Sequence, residues 1–300
     1  MGGRVRVGVV LLPQERWATQ RERWRRAEEL GFDHAWTYDH LAWRSLADEP
    51  WFATVPLLAA AAEATERIAL GTFVASPNFR HPVPFAKDVM GLDDVSGGRF
   101  VLGLGAGGEG FDASVTGPAP SRAVRTRRFE EFVGLLDALL TQPVTDHDGE
   151  HYTAHGARMV PGTIARPRTP FVVAAAGPRT MALAARHGQG WVTYGADYAT
   201  EDGDDDLGRA QERWWGALAA QVAAFDEIER AHGGPVPVRR YLSLDGAPRY
   251  SLQSVDLAVE GIERAAALGF TDVVVHWPRA EGIYAGDERV LEELASHLSG

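Results

Sequence analysis

Hydrophobic positions along this chain come in two alternating kinds of block. Short, near-continuous apolar runs such as VRVGVVLL (5–12), RIALGTFV (67–74) and TDVVVHW (271–277) give way to longer stretches with helical periodicity. The pattern predicts strands at Val5–Leu12, His34–Tyr38, Ile68–Val74, Phe100–Gly105, Phe171–Ala175, Gly190–Thr193, Arg239–Leu244 and Asp272–His276. Helices are predicted to follow at Thr19–Leu30, Thr54–Glu66, Pro82–Val95, Arg122–Leu140, Thr180–His187, Arg209–His232, Ser254–Leu268 and Asp287–Leu298. Strands apolar on both faces are those of a parallel sheet covered on both sides. The phrases AEELGFDHAW and ERAAALGFTDVVV share one punctuation, a helix closed by Leu-Gly-Phe and an Asp opening the next strand, with Gly31 and Gly269 suited to the left-handed cap. Eight such units predict an α/β TIM-type (β/α)8 barrel. Two segments interrupt the rhythm: Thr141–Pro170, with the hairpin-like HDGEHYTAHGARMV, and Ala196–Gly208, with the acidic run EDGDDD. Both are expected as insertions at the C-terminal rim. No Pro/Ser-rich linker divides the chain, so residues 1–300 are read as a single domain.

Composition narrows the function. Cysteine is absent, which removes disulfides, thiolate catalysis and cysteine metal sites. A net charge of −11 lacks the basic footprint of a nucleic-acid binder. No apolar run has the roughly 18 residues needed to span a bilayer, and MGGRVRVGVVLLP reads as a first strand rather than a signal or lipid anchor. A cytoplasmic protein acting on a small molecule is the simplest expectation. The single lysine, Lys87, lies in a helical pattern. His147, His151 and His155 are spaced like metal ligands on a helix, but Asp148-Gly149 between them signals a hairpin turn, so no metal is expected.

Chemistry in such a barrel belongs at the C-terminal strand ends, where four stretches stand out. TYDHLAW (37–43) places Asp39, His40 and Trp43 after the second strand; His40 can donate or accept a proton near neutral pH. LGTFVASPNFRHP (70–82) ends the third. FVLGLGAGGEGFD (100–112) contains G-x-G-x-x-G at Gly103, Gly105 and Gly108. A dinucleotide fingerprint should open a helix after a first strand, whereas this one follows a fourth; close approach of the backbone to a flat ligand is the alternative reason. Glu109 beside it is a candidate general acid or base. VVAAAGPRTMALAARHG (172–188) sets Gly177, Pro178, Arg179 and Thr180 at a helix start, a candidate anion site.

With TYDHLAW, LGTFVASPNFRHP, LGLGAGGE and AAAGPRTMALAARHGQGW in this order, the chain resembles the bacterial luciferase-like superfamily, and within it the branch using the deazaflavin coenzyme F420. The resemblance covers nearly the whole chain and implies a TIM-like barrel, a homodimer and a hydride-transferring oxidoreductase. It implies that His40 faces the deazaflavin ring, with Asp39 and Thr72 around it. Phe73-Val74 would form a non-proline cis peptide backing the ring, and Gly107-Gly108 would lie along the ring or its ribityl chain. Gly177, Pro178, Arg179 and Thr180 would receive the phosphate. Glu109 matches an acid position of the sugar-phosphate dehydrogenase branch, and Trp43 lies near that branch's active-site tryptophan. That branch binds substrate phosphate with lysines, which this chain lacks apart from Lys87. Trp43, Trp51, Phe79 and Trp277 point to an apolar substrate instead. FMN in place of F420, with dioxygen activation as a monooxygenase, is the alternative; a non-catalytic flavin-binding protein is another.

Overall fold

A computed structural model describes residues 4–108, 110–196, 204–234 and 236–298 of the chain. Ten strands and nine α-helices are found among them: β1 Arg6–Val10, α1 Trp17–Glu29, β2 His34–Thr37, α2 Thr54–Ala64, β3 Ala69–Thr72, α3 Pro82–Val95, β4 Phe100–Leu104, α4 Phe111–Ser114, α5 Arg122–Thr141, β5 Thr145–Asp148, β6 Thr153–Ala157, β7 Phe171–Ala174, α6 Pro178–His187, β8 Gly190–Thr193, α7 Asp204–His232, β9 Arg239–Ser243, α8 Val255–Ala267, β10 Asp272–His276 and α9 Glu288–Leu298. Eight of the strands close a barrel in the order β1-β10-β9-β8-β7-β4-β3-β2, the (β/α)8 architecture that the alternation predicts. Contacts divide the chain into two compact units, one of residues 1–11, 26–35 and 175–300, the other of residues 12–25 and 36–174.

In the first unit, β10 pairs in parallel with β1, Val7 opposite Val273 and Val9 opposite Val275. All five β10 residues are buried, as a strand covered on both faces requires. Trp191 of β8 stacks on Phe225 of α7 at 4.1 Å between centroids. Gly269 follows α8 at φ 86°, the left-handed cap expected of its sequence position. At the start of β10 the buried Asp272 gathers four donors: the Arg6 Nε (2.8 Å), His34 Nε2 (3.1 Å), Arg239 Nε (3.0 Å) and the Thr271 hydroxyl (2.6 Å). This network lies at the N-terminal strand ends, where barrel residues serve stability rather than chemistry.

In the second unit, β3 pairs with β4 and β4 with β7, all parallel. Phe85 of α3 and Phe132 of α5 pack at 6.1 Å in its core. The Thr141–Pro170 segment contains, as its pattern suggests, an antiparallel hairpin of β5 and β6, but it joins the end of α5 to the start of β7 and so is not the strand-to-helix insertion expected at the C-terminal rim. It lies along α5, held by one carboxylate. Glu131 Oε1 accepts from His147 Nε2 (3.0 Å) and the Tyr152 amide (2.8 Å), and Oε2 from the His151 amide (2.9 Å). Tyr152 reaches His81 at the start of α3, and the chain then returns to the far end of α3, where Asp93 accepts from the Ile164 amide and the Thr169 hydroxyl. His147 is therefore a hairpin anchor, and no cluster of three or more metal-ligating side chains occurs among the described residues. In the second interruption, residues 197–203, which include the start of EDGDDD, lie outside the described residues.

Candidate active site

The TYDHLAW stretch leaves β2 as a turn whose side chains go to different partners. Asp39 is buried, and the Arg80 guanidinium meets it as a fork, Nε to Oδ2 and Nη2 to Oδ1, both at 2.6 Å. Arg80 also lies over the Phe85 ring at 4.4 Å. Burial works against the Arg80 charge, but the hydrogen bonds and charge of Asp39 overcome it, and the guanidinium is held above its ordinary value. Both Asp39 oxygens are thus engaged in holding the turn.

His40 follows with its ring about one-quarter exposed. Its Nδ1 lies 2.5 Å from Oδ2 of Asp112, on the short helix α4. The other Asp112 oxygen accepts the backbone N–H groups of Leu41 (2.7 Å) and Ala42 (3.4 Å). Trp51 donates its indole N–H to the His40 carbonyl at 2.9 Å. Tyr38 meets His40 edge-on at 5.7 Å and Trp51 meets it at 6.5 Å, while Trp43 packs on the Tyr38 ring at 5.1 Å. Leu41, next in sequence to His40, and Phe111, next to Asp112, are exposed apolar side chains.

At the end of β3, the Phe73–Val74 peptide is cis. Phe73 is buried against Trp36 at 5.5 Å, whereas Val74 stays partly exposed. Neighbouring β4 makes room for this backbone with glycines. A Cβ on Gly103 would stand 2.0 Å from the Thr72 carbonyl oxygen, and one on Gly105 would stand 2.5 Å from Val74 Cγ2. Two of the three fingerprint glycines therefore serve approach of protein to protein, not of ligand to protein. Thr72 donates its hydroxyl to the Gly103 carbonyl at 2.7 Å. Gly107, at φ 76°, lies against the Asn78 amide, 2.6 Å from where its Cβ would be. Asn78 bridges this loop, donating to the Gly108 carbonyl (3.3 Å) and accepting from Arg128 (3.0 Å). Gly108 itself is exposed with open space at its Cα. Glu109 lies outside the described residues.

In the first unit, β7 leads into α6 through Gly177, with Pro178 at the first helical position. Among the described residues no side chain caps this N-terminus; the Thr180 hydroxyl bonds back to the Gly177 carbonyl at 3.1 Å. Arg179 is exposed in the first turn. Trp277, following β10, is buried and donates its indole N–H to Glu288 at 2.8 Å. Beside it is an arrangement for which the sequence carries no local signal. His276 places Nδ1 2.9 Å from Asp245, Tyr250 donates to the His276 carbonyl at 2.7 Å, and Tyr284 stacks on the imidazole at 3.9 Å. Burial, reinforced by the nearby Asp245 charge, raises the Tyr250 phenol above its ordinary value.

Residues 4–226 match the family described as luciferase-like monooxygenase. The chain belongs to that family. Like its relatives, this luciferase-like protein is an enzyme. It is 33% identical to the F420-dependent glucose-6-phosphate dehydrogenase of Beutenbergia cavernae, over 91% of this chain and 90% of that one. It is 32% identical to the 4-hydroxyprotoasukamycin monooxygenase of Streptomyces nodosus subsp. asukaensis, over 68% of this chain and 53% of that one. Among solved structures its fold is like that of an F420-dependent secondary alcohol dehydrogenase in complex with an F420–acetone adduct. There the TM-score is 0.77, with 18% identity over 97% of this chain and 98% of that one. No helix among the described residues of this luciferase-like enzyme is long and apolar enough to cross a membrane.

The second unit thus brings together His40, Asp39, Trp43, Thr72, Phe73, Val74, Gly107 and Gly108, and the first unit holds Gly177–Thr180 and Trp277. Sequence reasoning passed over Arg80, Asn78, Asp112 and Arg128. Arg80 and Asn78 lie inside a quoted motif. Asp112 closes the quoted stretch FVLGLGAGGEGFD, but it is 72 positions from the histidine it touches, and nothing in that stretch announces the pairing.

Proposed function

We propose that this luciferase-like enzyme is an F420-dependent oxidoreductase that moves a hydride between C5 of the deazaflavin and a small, apolar organic substrate. When bound, the deazaflavin supplies or accepts the hydride, and the protein contributes placement and proton handling. The observation that carries the reading is the cleared shelf at the end of β3. Gly103 and Gly105 admit the Thr72–Val74 backbone, leaving Val74 partly exposed beside the glycine loop at 107–108. Such a shelf fits the face of a flat heterocycle. The donor set at α6 fits the cofactor's tail, because an uncapped helix N-terminus presents backbone N–H groups and a positive dipole end to an anion.

The other residues divide the work. His40, partly exposed, moves a proton at its imidazole. Glu109 is the second candidate acid or base by its place in the motif. Tyr38 and Trp51 flank His40, and with Trp43 on Tyr38 they favour an apolar substrate. Lys87 is exposed on α3, so no lysine serves a sugar phosphate. The substrate thereby departs from that of the 33% identical glucose-6-phosphate dehydrogenase. The monooxygenase relative supports a second reading, FMN in the same site with dioxygen as co-substrate.

Titrating purified apo-protein with F420 and with FMN, each followed by fluorescence, decides between them. Tight F420 binding with weak or no FMN binding is expected. Nanomolar FMN binding with none for F420 would overturn the proposal.

A further inference from the structure

His40 and Asp112 form a pair whose chemistry is more specific than proximity. An ionised carboxylate can only accept hydrogen bonds. Both Asp112 oxygens already act as acceptors, one toward Leu41 and Ala42 N–H groups and the other toward the imidazole. The proton on the short Nδ1···Oδ2 contact must therefore belong to His40, which fixes the neutral ring as the Nδ1–H tautomer. Nε2 is then the ring's lone-pair nitrogen, and among the described residues it has no hydrogen-bond partner. The contact is well shielded: Asp112 is 6% exposed.

The charges around the ring point the same way. Asp39, the residue before His40, is neutralised by Arg80. Arg44 lies over the Trp43 ring and is paired with neither His40 nor Asp112. Tyr38 and Trp51 face the imidazole with neutral rings. Among the described residues no arginine or lysine is paired with Asp112, so its negative charge has the imidazole as its only side-chain partner.

Resting on the hydride-transfer reading above, we propose that Asp112 is the positioning residue of His40. It holds the ring in the Nδ1–H form, directs proton exchange with substrate to Nε2, and balances the imidazolium that forms when Nε2 takes a proton. By the same carboxylate it anchors the 41–42 turn to α4, so the proton-handling group and the apolar surface of Leu41 and Phe111 are positioned together. Buried orienting carboxylates act in this way on catalytic histidines elsewhere, and removing their charge while keeping their shape scrambles the tautomer.

Asp112→Asn separates the positioning role from a merely structural one. An asparagine oxygen can still accept the Leu41 and Ala42 amides, but it brings no charge to Nδ1. Long-range 1H–15N NMR of histidine-labelled apo-protein reads the tautomer directly, with His40 assigned from a His40→Asn sample. In the parent protein neutral His40 is expected as at least about nine-tenths Nδ1–H, and in Asp112→Asn as less than about half. Amide exchange at Leu41 is expected to stay within about threefold of the parent, because its acceptor remains. A parent protein with neutral His40 in the Nε2–H form overturns the inference without any variant. An Asp112→Asn spectrum unchanged at His40 overturns it as well and leaves Asp112 a turn anchor. F420 titration of the same samples is independent of these readouts. Absence of F420 binding in the parent sinks the cofactor reading, whereas the tautomer result tests the pair by itself.

Discussion

Arg80 grips Asp39 with two parallel hydrogen bonds of 2.6 Å each, across 41 positions of sequence, immediately before His40, the proposed proton-handling residue. Asp39 is 1% exposed and Arg80 14%. Such a pair contributes little net stability when complete, but losing one partner leaves a buried charge unpaired. Arg80→Leu should therefore destabilise the protein by about 3–5 kcal/mol in urea denaturation at pH 7. Arg80→Lys, which keeps the charge and loses the fork, should recover only part of that. A loss below about 1 kcal/mol for Arg80→Leu would mean that Asp39 does not depend on this partner.

Glycines 103 and 105 should differ when replaced by alanine. The Gly103 Cβ would meet a backbone oxygen that cannot swing away, whereas the Gly105 Cβ would meet the side-chain tip of Val74. Gly103→Ala is expected to cost more than Gly105→Ala, with overpacking of this kind typically worth about 1–3 kcal/mol. Combining Gly105→Ala with Val74→Ala removes the clashing methyl and should restore most of the loss. If the double variant is no more stable than Gly105→Ala alone, the contact is not the cause.

The α6 N-terminus can be tested by giving it a cap. Space around the Gly177 Cα is open, so Gly177→Asp and Gly177→Asn both fit. Each should stabilise the apo-protein by a few tenths to about 1 kcal/mol, read as a raised Tm. The carboxylate, sitting where an anion is expected, should weaken F420 binding by more than about tenfold, and the neutral amide by much less. Equal affinity in both variants would place the cofactor's phosphate elsewhere.

Acid should weaken the fold through Asp272 and His34. Burial pushes the Asp272 carboxyl up, but the His34 hydrogen bond, the Thr271 hydroxyl and the Arg6 charge outweigh it and hold it at about 2. A carboxyl whose folded value lies below its unfolded value, 3.8 here, contributes fully above the latter and loses that contribution as pH falls through 2. The shift corresponds to about 2 kcal/mol. Burial, outweighing the Asp272 hydrogen bond, lowers His34 from its ordinary 6.5, so it stays neutral in the fold while the unfolded chain takes up the proton. Its contribution begins to fall as pH drops below 6.5. Urea midpoints should decline from pH 6.5 downward, with a further limb between 4 and 2 that is absent in Asp272→Asn.

The sequence by itself determined the β/α alternation, most element boundaries, the closed-barrel fold class and the hairpin in Thr141–Pro170. These follow from local physics: apolar periodicity, helix punctuation by Gly31 and Gly269, and the turn signal Asp148-Gly149. Only the tertiary structure decided what the motif residues touch. Gly103 and Gly105 look like ligand glycines in the chain, yet they clear space for Thr72 and Val74. Asp39 looks like a site residue beside His40, yet its oxygens belong to Arg80. Asp112 closes the stretch FVLGLGAGGEGFD, yet nothing in that stretch marks it as the partner of His40. Periodicity reports which face of an element is buried, but which distant side chains meet is set by how loops 41 to 72 residues apart are brought together. That information is carried by the fold as a whole and by no short stretch of its sequence.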